Sequence, residues 1–459
     1  MKGRARRRWF TACVEKRAQR RDRQSDRPGW VQGMTAALVL SRSFPYNAQR
    51  IHGIYQRLGT QVEALAKVVD RVDCLFLVPD EQDSTPNAIR EHEVRLRRLW
   101  SPAVSLRLAP TISDDVPQTR WQRIGRGVFN FHAQPWARPT SAPEAVRAVS
   151  AALDARPDVV LVHRLDAMCP LLKIAKRTPE KLHGLPIFFD MDDIEHVTSL
   201  RRLWHDPAWP AQRLMLLQVA ALLLAEVRAV RLATATFVCS ETDRRYLGRM
   251  TASARVQTVA NSVTFPSLAD TDVSEPLVLF VGTMGYRPNA QAADSLVREI
   301  WPLVRARSPA ARLAIVGPGP ERTACYESAD ESVTFTGFVD DLEAWYRRAR
   351  VVCCPIYHGG GTRVKIIEAA AHAKAIVSTH LGAEGLDLED GREILLRDTP
   401  AELAGECLRL LDDPHAAARL GRAALQRARG TYDRSAVIDH LASIFREGLS
   451  GGLRGGIPA

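Results

Sequence analysis

The chain of 459 residues has no C-x-x-C pair among its eight cysteines, no uninterrupted apolar run of membrane-spanning length and no internal repeat. Cys13, Cys74, Cys169, Cys239, Cys325, Cys353, Cys354 and Cys407 lie mostly inside apolar segments, which reads as reduced core cysteine in a cytosolic protein. The most apolar stretch, Leu214 to Ala225, is broken by Gln218 and bounded by Arg213 and Glu226. It falls short of the roughly 20 residues a span requires, so a buried helix is expected, with docking at a membrane interface as the alternative. No G-x-x-x-x-G-K-[ST] spacing exists, which excludes a Walker A loop. Gly317-Pro-Gly319 lacks the third glycine of a dinucleotide fingerprint and does not open the first βαβ unit, which argues against NAD.

The formal charge of +11 suggests a nucleic-acid or membrane partner until it is located. Residues 1–33 hold eleven Lys/Arg against three acids, a net +8, and the rest of the chain carries only +3. This head, with Arg6, Arg7, Arg8, Arg20, Arg21 and Arg23, has no continuous apolar run and so is not read as a signal peptide. It reads either as untranslated sequence ahead of a true start at Met34 or as a disordered basic tail touching anionic lipid or nucleic acid. Neither reading calls for a specific nucleic-acid partner.

With 46% hydrophobic residues, the chain is long enough for two cores at roughly 100–200 residues per domain. Short apolar runs followed by helical-period segments recur at Ala36–Ser41, Val72–Val78, Asp158–His163, Pro186–Asp190 and Thr236–Ser240. They resume at Leu277–Gly282, Arg312–Gly317, Val351–Pro355 and Ala375–Thr379. The alternation implies an α/β protein with parallel sheets and crossover helices. The Ser-, Thr- and Asp-rich stretch Thr258–Glu275 divides the two sets, placing a boundary near residue 270. The expected organisation is a basic head over 1–33, a first domain over 34–270, a second over 271–430, a helix over 431–448 returning to the first, and a disordered Gly-rich tail over 449–459. Pro117–Pro143, rich in Arg, Trp, Phe and Pro, is either an insertion shaping an acceptor pocket or a covered loop.

The most informative segment is VVCCPIYHGGGTRVKIIEAAAHAKAIVST, residues 351–379. Gly359, Gly360 and Gly361 let backbone N–H groups approach an anion, and a helix starting near Thr362 directs its positive end to the same place. Arg363 and Lys365 stand at that helix start, where the macrodipole disfavours cations unless an anion offsets the repulsion. Glu368 is a lone carboxylate among Ile366, Ile367, Ala369, Ala370 and Ala371. It needs a partner, either ribose hydroxyls or Lys365. These residue types in this order point to a nucleoside-diphosphate ligand.

The run PIYHGGGTRVKIIEAAAHAKAIVSTHLGAEGL strongly resembles the donor-binding signature of family 4 (group 1) glycosyltransferases, in its GGGTR-x-K-x-x-E variant. Upstream, FVGTMGYRPNAQAADSL, LAIVGPGPE and VTFTGFVDDLEAWYRRARVVCCP resemble the preceding strands of that domain, so the likeness covers about residues 276–445. PDVVLVHRLDA, FFDMDDIEHVTSLR, ATFVCSETDRRYL and VQTVANSV look like successive strand ends of the other domain. The resemblance implies a GT-B fold, two Rossmann-like doubly wound domains facing a central cleft, with ligands at the carboxyl ends of the strands.

It also implies residue roles. Arg363 and Lys365 would neutralise the departing diphosphate in place of a metal. Glu368 would hold ribose, and Gly359, Gly360, Gly361 and Thr362 would line the donor loop. Gly282, Thr283, Arg287 and Asn289, after the strand at 277–281, would reach phosphate or sugar oxygens. His163, at a strand end, matches the position of a histidine near the reacting sugar carbon. Members usually carry a second glutamate eight positions before the ribose-binding one; Gly360 occupies that place here. Asp190-Met-Asp192-Asp193 imitates a metal-binding D-x-D but belongs to the first domain, away from the phosphate loop, on the acceptor side or in helix capping. No metal and no cofactor are expected. Phe44-Pro-Tyr-Asn47-Ala48-Gln-Arg50 stands where relatives have a Gly-rich loop, with Asn47 and Arg50 as its candidate residues.

The implied reaction is metal-independent, retaining transfer of a hexosyl group from a nucleotide sugar to a hydroxyl of a glycan or lipid-linked acceptor, in polysaccharide or glycoconjugate biosynthesis. The acceptor would enter beside the departing phosphate, without a dedicated base, after domain closure about a hinge near 261–275. The enzyme is expected in the cytoplasm, with peripheral contact to the inner membrane as an option. The rivals are a sugar-nucleotide epimerase or phosphorylase on the same fold, and a degenerate nucleotide-binding scaffold of a glycan-assembly complex.

Overall fold

The computed structural model describes residues 34–46, 53–79, 85–111, 137–204, 216–251, 255–267 and 274–451. The basic head, Asn47, Arg50, residues 117–136 of the Pro117–Pro143 segment, the boundary near residue 270 and residues 452–459 lie outside them.

All nine strands marked by apolar runs form, and each is interior to its sheet. The first sheet holds β1 (Ala36–Ser41), β2 (Arg71–Pro79), β3 (Val104–Thr111), β4 (Val159–His163), β5 (Ile187–Asp192), β6 (Ala235–Val238) and β7 (Val256–Thr258). Its order is β3-β2-β1-β4-β5-β6-β7, parallel throughout. The second holds β8 (Leu277–Val281), β9 (Arg312–Val316), β10 (Val333–Gly337), β11 (Val351–Cys354), β12 (Ala375–Ser378) and β13 (Leu395–Leu396), ordered β10-β9-β8-β11-β12-β13 and also parallel. The four strands that no apolar run marks, β3, β7, β10 and β13, are the four sheet edges. Central parallel strands are covered on both faces and must be apolar at every position, whereas edges tolerate polar ones. Thus β1 is buried throughout, while β10 has no fully buried residue.

Strand order reverses between β1 and β4 and between β8 and β11, the two switch points at which such sheets open a crevice beyond their carboxyl ends. Both faces of the first sheet are packed, one by Leu38, Val160, Met168 and Phe189, the other by Val39, Phe76, Phe188 and Phe237. The second core gathers Phe280, Trp301, Tyr346, Ile366 and Leu403. Helix Pro414–Tyr432 belongs to that core through Leu420, Ala424 and Tyr432. The chain then breaks at Asp433, whose carboxylate accepts from the amides of Ser435 and Ala436 and so starts helix Arg434–Ser450. That last helix lies on the first domain: Leu441, Ile444 and Phe445 join its core, and Arg434 pairs with Glu63 at 2.6 Å.

The seven described cysteines are buried and free. Leu216–Leu232 is a helix that buries Leu222, Ala225, Ala229 and Val230 but leaves Leu224 56% exposed, so it is covered on one face only. Among the described residues no helix is long and apolar enough to cross a membrane.

Candidate functional site

The second domain builds its part of the site from the two strands at its switch point. β8 ends in Gly282 and Thr283; β11 runs into the loop 355–363 and then helix Val364–Ala371. Gly359 and Gly361 have φ of 108° and 70°, a left-handed region that side chains strain to adopt. Their conformation turns the loop back over the helix start. Gly317, at the end of β9, also has positive φ, and any Cβ there would collide with the carbonyl of Gly282. The β8 turn can therefore lie flush against its neighbour only if residue 317 is glycine.

Arg363 occupies the residue just before the helix and is only 8% exposed. Its Nη1 donates to the carbonyls of Gly360 and Gly361, while its Nε has no protein partner. Lys365 Nζ donates to Asn289 Oδ1 at 2.7 Å and stands 4.3 Å from the centre of the Phe280 ring. A Cβ on Gly282 would come within 2.8 Å of both Lys365 Nζ and Asn289 Nδ2, so the glycine makes room for these two side chains. Burial, with Arg363 adding like charge, lowers the Lys365 pKa to about 8 despite the opposing pull of Cys354 and Glu368. An anion bound beside it would raise that pKa again and hold the ammonium charged.

Glu368, one turn further, accepts from Tyr346 Oη at 3.0 Å and lies near enough to Gln56 of the first domain for that side chain to favour its charged form. Burial raises its pKa, and the Tyr346 bond and Lys365 oppose the rise. It forms no hydrogen bond or close ion pair with Lys365 among the described contacts, so the internal salt bridge is not its partner here. Gly282, Thr283, Asn289, Lys365 and Glu368 are thus brought together around one helix start. Arg287 is solvent-exposed at the first position of helix Arg287–Ser295. Tyr286 beside it reaches the glycine loop, its hydroxyl 2.9 Å from where a Gly359 Cβ would lie.

The first domain meets this loop directly. Thr362 Oγ1 accepts from Asn261 Nδ2 at 2.8 Å. Asn261 Oδ1 in turn accepts from Arg57, whose guanidinium grips Asp190 through Nε at 2.9 and 3.0 Å. Further out, Arg201 Nη2 pairs with Glu384 at 2.8 Å. Asp193 accepts from Thr198 Oγ1 at 3.2 Å and faces Gly360, where a Cβ would stand 2.7 Å from its Oδ1 and collide with the Thr198 hydroxyl. The expectation that the Asp190–Asp193 acids lie away from the loop is corrected for Asp193, while Asp190 is paired with Arg57 and Asp192 accepts from Cys239. β5 and β11 point their carboxyl ends into the same cleft, and Asp193, just past β5, spans it. Burial, reinforced by Asp192, raises the Asp193 pKa to about 6.

His163 is not brought to this cluster. It is fully buried, with Nδ1 3.1 Å from Ser41 Oγ and Nε2 3.8 Å from Asp190. Burial lowers its pKa. Its Nε2 has no hydrogen-bond partner among the described residues. Among the described residues no group of three His, Cys, Asp or Glu could hold a metal ion. Gln56, Tyr346 and the Asp193–Gly360 apposition escape the sequence reading because each depends on a contact between distant segments. Asp193 alone carried a signal, as a carboxylate just after a strand end.

Comparison with known proteins places this geometry. Residues 275–413 match the model of the glycosyl transferases group 1, which is the second domain up to the start of helix Pro414–Tyr432. No curated protein matches the chain. Among solved structures, sucrose-phosphate synthase from Thermosynechococcus elongatus is similar at 17% identity and a TM-score of 0.66, over 91% of this chain and 100% of that one. HepE of Anabaena, in complex with UDP, is similar at 13% identity and a TM-score of 0.57, over 90% and 100%. WaaG, a glycosyltransferase involved in lipopolysaccharide biosynthesis, is similar at 12% identity and a TM-score of 0.56, over 89% and 99%. The fold is GT-B.

Proposed function

We propose that the protein is a retaining glycosyltransferase that moves a hexosyl group from a nucleoside-diphosphate sugar to a hydroxyl acceptor without a metal ion. One observation carries the reading. Arg363 and Lys365, two cations at a helix start, converge with the glycine loop on one side and the Gly282–Thr283 turn on the other, at the sheet's switch point. A diphosphate is the ligand whose charge offsets both cations and the helix dipole together. The match of this domain to group 1 glycosyl transferases supports the choice of transfer over other uses of a diphosphate.

In the proposed reaction the diphosphate lies against the amides of Gly359–Gly361, with Glu368 accepting from ribose hydroxyls. As the bond from the anomeric carbon to the phosphate oxygen lengthens, negative charge grows on that oxygen. Arg363 and Lys365 stabilise it, which is the role a divalent ion plays elsewhere. The acceptor hydroxyl attacks from the same face and gives its proton to the departing phosphate, so no side-chain base is needed. The cross-domain bonds Asn261–Thr362 and Arg201–Glu384 hold the cleft shut and water out while this happens. A fold relative that holds UDP makes uridine donors the first to try. A second relative, in lipopolysaccharide biosynthesis, supports a glycan or lipid-linked acceptor.

The test is transfer from UDP-, GDP- and ADP-sugars to a panel of hydroxyl acceptors in EDTA, with the anomeric configuration of the product read by NMR. Retention of configuration at an undiminished rate in EDTA is expected. Inversion, or an absolute need for a divalent ion, contradicts the mechanism. Nucleotide binding with no turnover of any acceptor would instead favour a scaffold.

A further inference from the structure

Residues 359–361 of the loop are all glycine and offer the sugar no side chain, the Arg363 guanidinium is turned back onto the loop carbonyls, and Thr362 Oγ1 is engaged by Asn261. A hexose bound only by amides would have donors to its oxygens but no acceptor for its hydroxyl protons. A carboxylate acceptor comes from the other domain. Asp193 presents Oδ1 and Oδ2 at 2.7 and 2.8 Å from the Cβ position of Gly360, and at ordinary contact distance, 3.8 to 3.9 Å, from that of Gly361. Its position is fixed from behind by Thr198 Oγ1, 3.2 Å from each oxygen. The fit is reciprocal, because any side chain at 360 would occupy the space of the carboxylate and the Thr198 hydroxyl.

Resting on the donor-site reading above, we propose that Asp193 is the carboxylate that accepts hydrogen bonds from the donor's sugar hydroxyls, delivered across the cleft onto a loop whose glycine at 360 makes room for it. The consequence is a division of labour between domains. The residues assigned to nucleotide and diphosphate belong to the second domain, and the sugar is gripped only when the first domain closes. Donor selection and closure then become one event, since a donor whose hydroxyls do not reach Asp193 leaves that half-buried carboxylate beside Gly360 with Thr198 as its hydrogen-bond donor and none from the sugar.

The experiment compares the affinities of UDP and UDP-glucose by calorimetry for the wild type, Asp193→Asn, Asp193→Ala and Thr198→Val, with thermal unfolding of each variant as a check on folding. The proposal expects Asp193→Asn and Asp193→Ala to leave UDP affinity within about twofold and to weaken UDP-glucose tenfold or more, consistent with loss of a charge-assisted bond. Thr198→Val, which frees the carboxylate but keeps it, should lower UDP-glucose affinity by a smaller factor. Equal effects on both ligands, or none on either, overturn the assignment of Asp193 and leave the donor site standing. Failure of the wild type to bind UDP, GDP or ADP would remove the donor site itself, and Asp193 with it.

Discussion

Asn261 and Thr362 are joined by a 2.8 Å hydrogen bond from Nδ2 to Oγ1, across 101 positions of sequence and across the cleft. Asn261 lies just past β7, the last strand of the first sheet; Thr362 immediately precedes Arg363 at the end of the glycine loop. Because Asn261 is also held by Arg57 at 3.2 Å, the bond ties the donor loop to the buried Arg57–Asp190 pair. Asn261→Ala and Thr362→Ala should each lower kcat/KM. A double-mutant cycle should return a coupling of about 0.5–1.5 kcal/mol, the usual worth of one hydrogen bond. Strict additivity would mean that this contact plays no part in turnover.

The Lys365 ammonium should make diphosphate affinity depend on pH. With its pKa near 8 in the free protein, Lys365 is charged below that value, and a bound diphosphate raises the pKa. Binding above pH 8 must then take up a proton, so the affinity of a nucleotide sugar, whose diphosphate has no terminal monoester to titrate, is flat below pH 8 and falls by up to about tenfold per unit above it. Calorimetry in buffers of different ionisation enthalpy should find proton uptake at pH 9 and none at pH 6.5. Lys365→Arg should bind without the step, because guanidinium stays charged throughout.

Gly360 has no left-handed backbone requirement in this structure, yet a methyl there meets Thr198 and Asp193. Gly360→Ala is therefore expected to fold normally and to bind nucleoside diphosphate with near wild-type affinity. Its kcat should drop by about tenfold or more, since a misplacement of about 1 Å at a closing site carries a penalty of that order or larger. Unchanged kcat would show that the two domains need not meet at this point.

Arg57 and Asp190 form an ion pair with both side chains at most 2% exposed. Arg57→Met strands a buried carboxylate and should destabilise the protein by about 3–5 kcal/mol in urea unfolding. His163 packs against the same pair, so His163→Ala should affect stability more than nucleotide affinity. A large loss of kcat at unchanged stability would instead return His163 to the reacting centre.

The legibility of the fold divides along the sheets. Interior strands such as β8 and β11 must be apolar on both faces and so announce themselves, while the two residues of β13 or the half-polar β10 carry no such run; the segments of β7 and β10 entered only through the family resemblance. The donor loop was legible for a related reason. Arg363 and Lys365 sit where a helix dipole repels cations, and Glu368 interrupts an apolar face, so each breaks a local rule that a ligand would restore. Gln56 and Tyr346 break no local rule, and their place beside Glu368 follows only from domain packing. Asp193 was visible as a carboxylate after a strand, but its partner Gly360 lies 167 positions away. His163 is a strand-end histidine whose neighbours, Ser41 and Asp190, come from other strands and so carry no local signal.

The most direct test of the central claim, a metal-independent nucleoside-diphosphate site built on Arg363 and Glu368, is thermal stabilisation by UDP, GDP, ADP and NAD in EDTA. A ligand at 100 times its dissociation constant adds about 2.7 kcal/mol, a readily measured shift. Stabilisation by one nucleoside diphosphate, absent with NAD and abolished in Arg363→Ala and Glu368→Ala, is the predicted result. Stabilisation by none of them, or equal stabilisation of the wild type and both variants, would contradict it.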